Sequence, residues 1–210
     1  MYIPKPFNIT NDNEKFAFIE ANAFGQLISQ LNGKLFSTHM PFLLSEDKTK
    51  IYGHLAIANP QHTQLAGQEV LITLEGAHGY VSPSWYNSPG VPTWNYQAVH
   101  IYGVCSIIDD AEKLKYVVDA LTHKYESAFE QPWQPDYKAA ILNAIVGVEI
   151  AITEIQCKYK LSQNRPIEDQ QQVAAQLKLD GHVALASAMD AIQITNATDW
   201  PVPSHTLNTR

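Results

Sequence analysis

A chain of 210 residues with 45% apolar content has enough material to bury one sizeable core, which excludes a disordered tract. Its 14 basic and 21 acidic residues leave a formal charge of −7, the wrong sign for a protein that grips a nucleic-acid backbone through its overall field, so direct DNA binding is not expected. No run approaches the about 18 apolar residues that a membrane helix needs, the start MYIPKPFNITNDNEKF lacks a signal core, and Cys105 and Cys157 show no CxxC spacing; the expected setting is the cytoplasm, with both cysteines buried and reduced.

In chain order, residues 25 to 57 read as strands. GQLISQ and KLFSTHMPFLL flank Asn32-Gly33, a dipeptide suited to a tight hairpin, and KIYGHLAIA follows the polar SEDKT turn. Asn59-Pro60 then supplies an N-cap and a first helical residue, so PQHTQLAG forms one or two helical turns beside a strand end. EVLITLEG and QAVHIYGVCSIID alternate as strands, the second with Val99, Ile101, Gly103, Cys105 and Ile107 on one face. Asp109 and Glu112 form a capping box for an amphipathic helix over 110–127, and a shorter helix is predicted from Asp136 to Ile145. VGVEIAITEIQCKYK returns as a long strand with Val148, Ile150 and Ile152 on one face. After Pro166 come two helical pieces broken at Asp180-Gly181, and TNATDWPVPSHTLNTR reads as an irregular tail. Many short strands, helices between and after them, and a late strand that must rejoin the sheet point to an α+β protein built on a closed or nearly closed antiparallel barrel. Residues 1–180 are expected to form the barrel domain and 181–210 a C-terminal helix and tail.

Between Gly76 and Gly103 six aromatic residues (Tyr80, Trp85, Tyr86, Trp94, Tyr96 and Tyr102) interleave with Ser82, Ser84, Thr93 and Asn95, and Pro83, Pro89 and Pro92 stiffen the run. This composition suits a wall for a planar ligand, whose rings the aromatics stack on and whose polar edge the hydroxyls and amides meet; it equally suits a rigid cap on a barrel or a dimer seam. Lys158, Lys160 and Arg165 form the densest basic cluster, able to serve one phosphate or to sit as a solvated strand end. The eight histidines show no zinc spacing, so no protein-built metal site is expected, although His39, His54, His78 and His100 lie on or beside predicted strands. Ser82 and Ser84 lack a G-x-S-x-G elbow, and Glu75, Glu149 and Glu154 offer no interpretable carboxylate pair. The residues identify no catalytic side chain.

Five blocks, MYIPKPF, GHLAIANPQ (53–61), GYVSPSWY (79–86), VPTWNYQAVHIYG (91–103) and KYKLSQNRPIEDQQQV (158–173), together resemble the PaiB family of FMN-binding negative transcriptional regulators, in the family's order and up to about residue 180. The resemblance implies an FMN-binding split β-barrel of antiparallel Greek-key type, related to the flavin reductase and pyridoxamine-phosphate oxidase barrels, in a homodimer with flavin at the subunit interface. It assigns His54, Ala56, Ala58 and Asn59 to the FMN phosphate and ribityl chain. Tyr80, Ser82, Ser84, Trp85, Thr93, Trp94 and Asn95 go to the isoalloxazine pocket, and Lys160, Ser162, Gln163 and Asn164 to its closure. Ile57 departs from the pattern where the family usually has Arg, which removes a charge-assisted phosphate contact. His78 and Gly79 also depart from the usual Gly-Pro-x-x-Tyr segment. Three activities fit the resemblance: a regulator or flavin-linked sensor acting indirectly, a small flavin-dependent reductase or oxidase, and a haem-handling relative of the same barrel.

Overall fold

A computed structural model describes residues 1–196; the tail expected beyond, with His205, lies outside the described residues. Among the described residues seven strands form one sheet in the order β2-β1-β5-β6-β7-β4-β3, with β1 Phe24–Leu31, β2 Lys34–Pro41, β3 Leu43–Leu44, β4 Lys50–Ala56, β5 Glu69–Val81, β6 Thr93–Ile108 and β7 Ile145–Lys160. Four α-helices among the described residues accompany it: α1 Asp12–Ala21, α2 Ala111–Glu126, α3 Ile167–Leu179 and α4 Val183–Asn196. The β1–β2 hairpin turns as expected, because Asn32 (φ 53°) and Gly33 (φ 74°) both take the left-handed conformation that a two-residue mirror-image turn requires. Its register runs from Leu31↔Lys34 to Phe24↔Pro41. The late strand β7 rejoins the sheet by pairing antiparallel with β4, from Lys50↔Ala151 to Ala56↔Ile145.

The chain divides into two compact units, each made of discontinuous segments. The first comprises Met1–Ile3, Asn8–Gly76 and Ala98–Lys158. Strand alternation buries Leu27, Ile51, Leu55, Ile72, Leu74, Val99, Ile101, Val148 and Ile150 on one sheet face. On another face α2 lays Leu114, Val117 and Leu121 against Ile108, with Leu43, Tyr52, Leu142 and Ile145 packed around them. That approach needs Gly147, where a Cβ would stand 2.9 Å from Leu114 Cδ1 and 3.0 Å from Ile108 Cβ. Glu149 on β7 receives Lys50 from β4 at 2.9 Å and Lys113 from α2 at 2.5 Å, tying helix to sheet. Cys105 and Cys157 are buried and unbridged, and burial pushes the Cys105 thiol up to about 12.

Local details differ from the sequence reading. α2 is capped by Asp110, not Asp109: its carboxylate accepts from the backbone N–H of Glu112 and Lys113. Ile108 rather than Ile107 is buried, because it joins the α2 cluster. The helix expected over 136–145 is a 3-10 turn confined to Ala139–Ala144. α1 was not expected, since its apolar residues lack helical spacing; Asn11 caps it by accepting from Glu14 N–H, and Phe18 and Ile19 anchor it.

The second unit joins Pro4–Phe7, Ala77–Gln97 and the chain from Tyr159 onward. α3 and α4 form a helical hairpin through Gly181 (φ 84°), which closes α3 with the His182 N–H on the Leu177 carbonyl at 2.8 Å. Val173, Leu177, Leu185 and Met189 are buried. The hairpin packs on the strand ends so closely that a Cβ at Gly79 would lie 2.9 Å from Leu185 Cδ2. β5 continues past the expected end at Gly76, and β6 begins before Gln97, so Val81 and Asn95 turn inward while Tyr80 and Trp94 remain exposed.

Candidate functional site

In the second unit, the ends of β5 and β6 present an aromatic face. The Trp94 indole lies 6.1 Å from the His78 ring at 26° and 6.2 Å from Tyr80 at 62°, a stacked and an edge contact. Tyr80 is 46% and Trp94 49% exposed, a large apolar area left open to water. At its margin the Lys160 ammonium donates to Thr93 Oγ1 and to the Trp94 carbonyl, both at 2.6 Å, which fixes the backbone that carries the indole. Thr93, Trp94, Lys160 and Tyr80, all expected in a ligand site, are therefore brought together.

The loop from Ser82 to Pro92 links the two strands. Ser82 caps the short turn Pro83–Trp85, accepting from the Ser84 N–H at 3.2 Å, and the two hydroxyls are 2.7 Å apart. Trp85 is half-buried and Ser84 exposed. Asn95 and Ser162 are buried and face each other, with Asn95 Nδ2 donating to Ser162 Oγ at 2.9 Å and Asn95 Oδ1 lacking any partner. Ser162 adopts φ 68°, turning the chain out of β7. Gln163 is spent on that turn: it accepts from Leu161 N–H and donates to the Tyr159 carbonyl. Asn164 is exposed.

The remaining expected residues belong to the first unit. His54 is half-buried on β4, its Nδ1 buried without a partner, and burial lowers its imidazole pKa below the ordinary value. Ala56 is exposed at the end of β4. Asn59 caps the 3-10 turn Pro60–Gln64 by accepting from Gln61 N–H, and its Nδ2 donates to Thr38 Oγ1 at 2.8 Å. Thr38 in turn donates to Gln61 Oε1 at 2.6 Å, and the fully buried Gln61 amide reaches the Leu27 carbonyl and Ser29 Oγ. Sequence reading missed Thr38 and Gln61, which meet each other 23 positions apart in the chain.

Arg165 and Asp169 were also not recognised as loop contacts. Asp169 accepts from the backbone N–H groups of Asn87 and Ser88 and from the Ser88 hydroxyl. The Ser88 hydroxyl, then those backbone donors and the Arg165 charge, hold its carboxyl below the usual range. Arg165 donates to the Pro89 carbonyl at 2.9 Å and lies 4.3 Å from the Tyr86 ring centroid. Among the described residues no three His, Cys, Asp or Glu side chains gather to hold a metal ion.

Residues 1–154 match the family model described as "Putative FMN-binding domain". The chain belongs to this FMN-binding domain family. FMN is the cofactor that membership brings, as the resemblance implied. The chain is 41% identical over 186 residues to the "Protease synthase and sporulation protein PAI 2" of Bacillus subtilis, covering 85% of this chain and 89% of that one, which confirms the PaiB kinship. Two solved structures share its fold: the flavocytochrome Anf3 of Azotobacter vinelandii (21% identity, 78% of this chain and 74% of that chain, TM-score 0.57) and the FAD and heme binding protein of Mycobacterium smegmatis (16%, 78% of each chain, 0.59). At such identities they speak to fold alone, and the fold is the antiparallel split barrel.

The residues present fit the ring of FMN. An open indole and phenol with an ammonium and a hydroxyl at the margin match a flat heterocycle with a polar edge. Position 57, where the resemblance implies an arginine, carries isoleucine, 49% exposed. Lys158, Lys160 and Arg165 each donate to a main-chain oxygen.

Proposed function

We propose that this member of the FMN-binding domain family seats the isoalloxazine ring of FMN on the Tyr80–Trp94 face and works, as a homodimer, as a PaiB-type flavin-linked sensor or negative regulator that acts on transcription indirectly. The observation that carries the reading is the half-exposed Trp94 indole between His78 and Tyr80, with Lys160 held at its edge. When bound, FMN supplies one- or two-electron transfer; the side chains bind it, orient it and shield one ring face. An indirect mode agrees with the formal charge of −7, which opposes a phosphate backbone. Dimerisation is supported within the first unit, where Phe24 and Leu35 of the β1–β2 hairpin are 62% and 79% exposed, a poor surface to leave in water.

The purified protein should show, on adding FMN, a perturbed flavin absorption between about 350 and 500 nm and quenched tryptophan emission. Trp94→Ala should weaken FMN binding by about 1–3 kcal/mol, the range for losing a buried aromatic contact. An unchanged dissociation constant would remove Trp94 from the site.

A further inference from the structure

The loop from Ser82 to Pro92 follows Tyr80 by two residues and precedes Trp94 by two, so it joins the ends of the two paired strands that carry the exposed rings. Its sequence, SPSWYNSPGVP, offers no strand or helix of its own beyond one short turn. Its hold comes from α3 and the turn before it. Asp169 is 1% exposed, and an ionised carboxylate so deeply buried persists only where donors replace its water. Three donors do so: Asn87 N–H at 2.7 Å, Ser88 N–H at 3.3 Å and the Ser88 hydroxyl at 2.5 Å. Four positions earlier Arg165 spans the other side of the loop, donating to the Pro89 carbonyl while its guanidinium covers one face of Tyr86. Gly90 covers the Tyr86 ring as well, so closely that a Cβ there would fall 2.3 Å from its Cδ2. Tyr86 is thereby buried, while its neighbour Trp85 is only half-buried.

We propose that Asp169 and Arg165 form a clasp that holds the Ser82–Pro92 loop in one conformation and, through it, keeps Tyr80 and Trp94 placed for a planar ligand. The second half of this inference rests on the flavin reading of that face. Asp169 and Arg165 touch no ligand in this scheme; they are positioning residues, and their effect is to remove the ordering cost that a loose loop would impose on binding.

Two readouts test it. Chymotrypsin cleavage after Trp85 or Tyr86 in ligand-free protein reports the loop alone, at a temperature where the rest of the chain resists. FMN titration reports the face. In Asp169→Ala the loop should be cut at least about tenfold faster and FMN bound about tenfold more weakly, with Asp169→Asn between it and the native chain, since the amide keeps one acceptor oxygen. Gly90→Ala should reach the same state without a change of charge, by displacing the Tyr86 ring; it also serves should Asp169→Ala fail to fold. Native cleavage rates in Asp169→Ala and Gly90→Ala would overturn the clasp while leaving FMN binding by the native protein untouched. Faster cleavage with native FMN affinity would overturn the link to the ligand. Faster cleavage in a protein whose native form binds no FMN would keep the clasp and sink the flavin reading instead.

Discussion

Asp169 shows how much a single side chain can decide and how little its own neighbourhood reveals. In IEDQQQ it reads as an ordinary acid in the first turn of a helix, favourable to the dipole and exposed. Its hydrogen-bond partner Asn87 lies 82 positions away, so no local pattern could announce it. Asn32-Gly33 is the opposite case, because both positive φ angles are demanded by the dipeptide's own turn. The depressed Asp169 pKa has a definite pH consequence. Its unfolded value is about 3.9, so the stabilisation is fully present above that pH and is lost as the pH falls through the lower folded value. Measured as native minus Asp169→Asn stability, the difference should be flat near neutrality and shrink under acid, as Ser88 and Arg165 lose their ionised partner. A difference that grew below about pH 4 would contradict the assignment.

At the scale of elements, periodicity located the strands but not their ends. The alternation of β5 changes phase along the strand, from Val70, Ile72 and Leu74 buried to Gly79 and Val81 buried with Tyr80 exposed, and Gly76 and Gly79 mask the change because they carry no side chain to show a face. The same residue type explains the fit of α2 against β7, since Gly147 leaves the room that Leu114 and Ile108 occupy. Gly147→Ala should force both side chains or the helix to shift and cost about 1–3 kcal/mol, read as a lowered urea midpoint with an unchanged slope. α1 escaped notice for the converse reason: its burial is by two adjacent residues, Phe18 and Ile19, and adjacency is not a helical period.

For the whole molecule, five spaced blocks in one order carried the family and, through it, the split-barrel fold; four of the five fall within the matched residues 1–154. Sequence gave less access to the division into two units, since the second is assembled from three stretches far apart along the chain. The candidate site shared that fate in part. Tyr80, Thr93 and Trp94 stood out by composition, while the pairing of Lys160 with Thr93 required the fold. The expected dimer has its own measurement: sedimentation should give about twice the 23.5 kDa chain mass, and Phe24→Asp with Leu35→Asp should return it to one chain. A native protein sedimenting as a single chain would refute the homodimer.

Lys160, Arg165 and Asp169 all fall beyond residue 154, where the family match stops. An expression fragment trimmed at that boundary would retain both rungs of the aromatic ladder and discard these three pegs, together with the helical lid over Gly79 and Asn95. Such a fragment should come out of the cell sticky and flavin-blind, and its failure would say nothing against the intact chain.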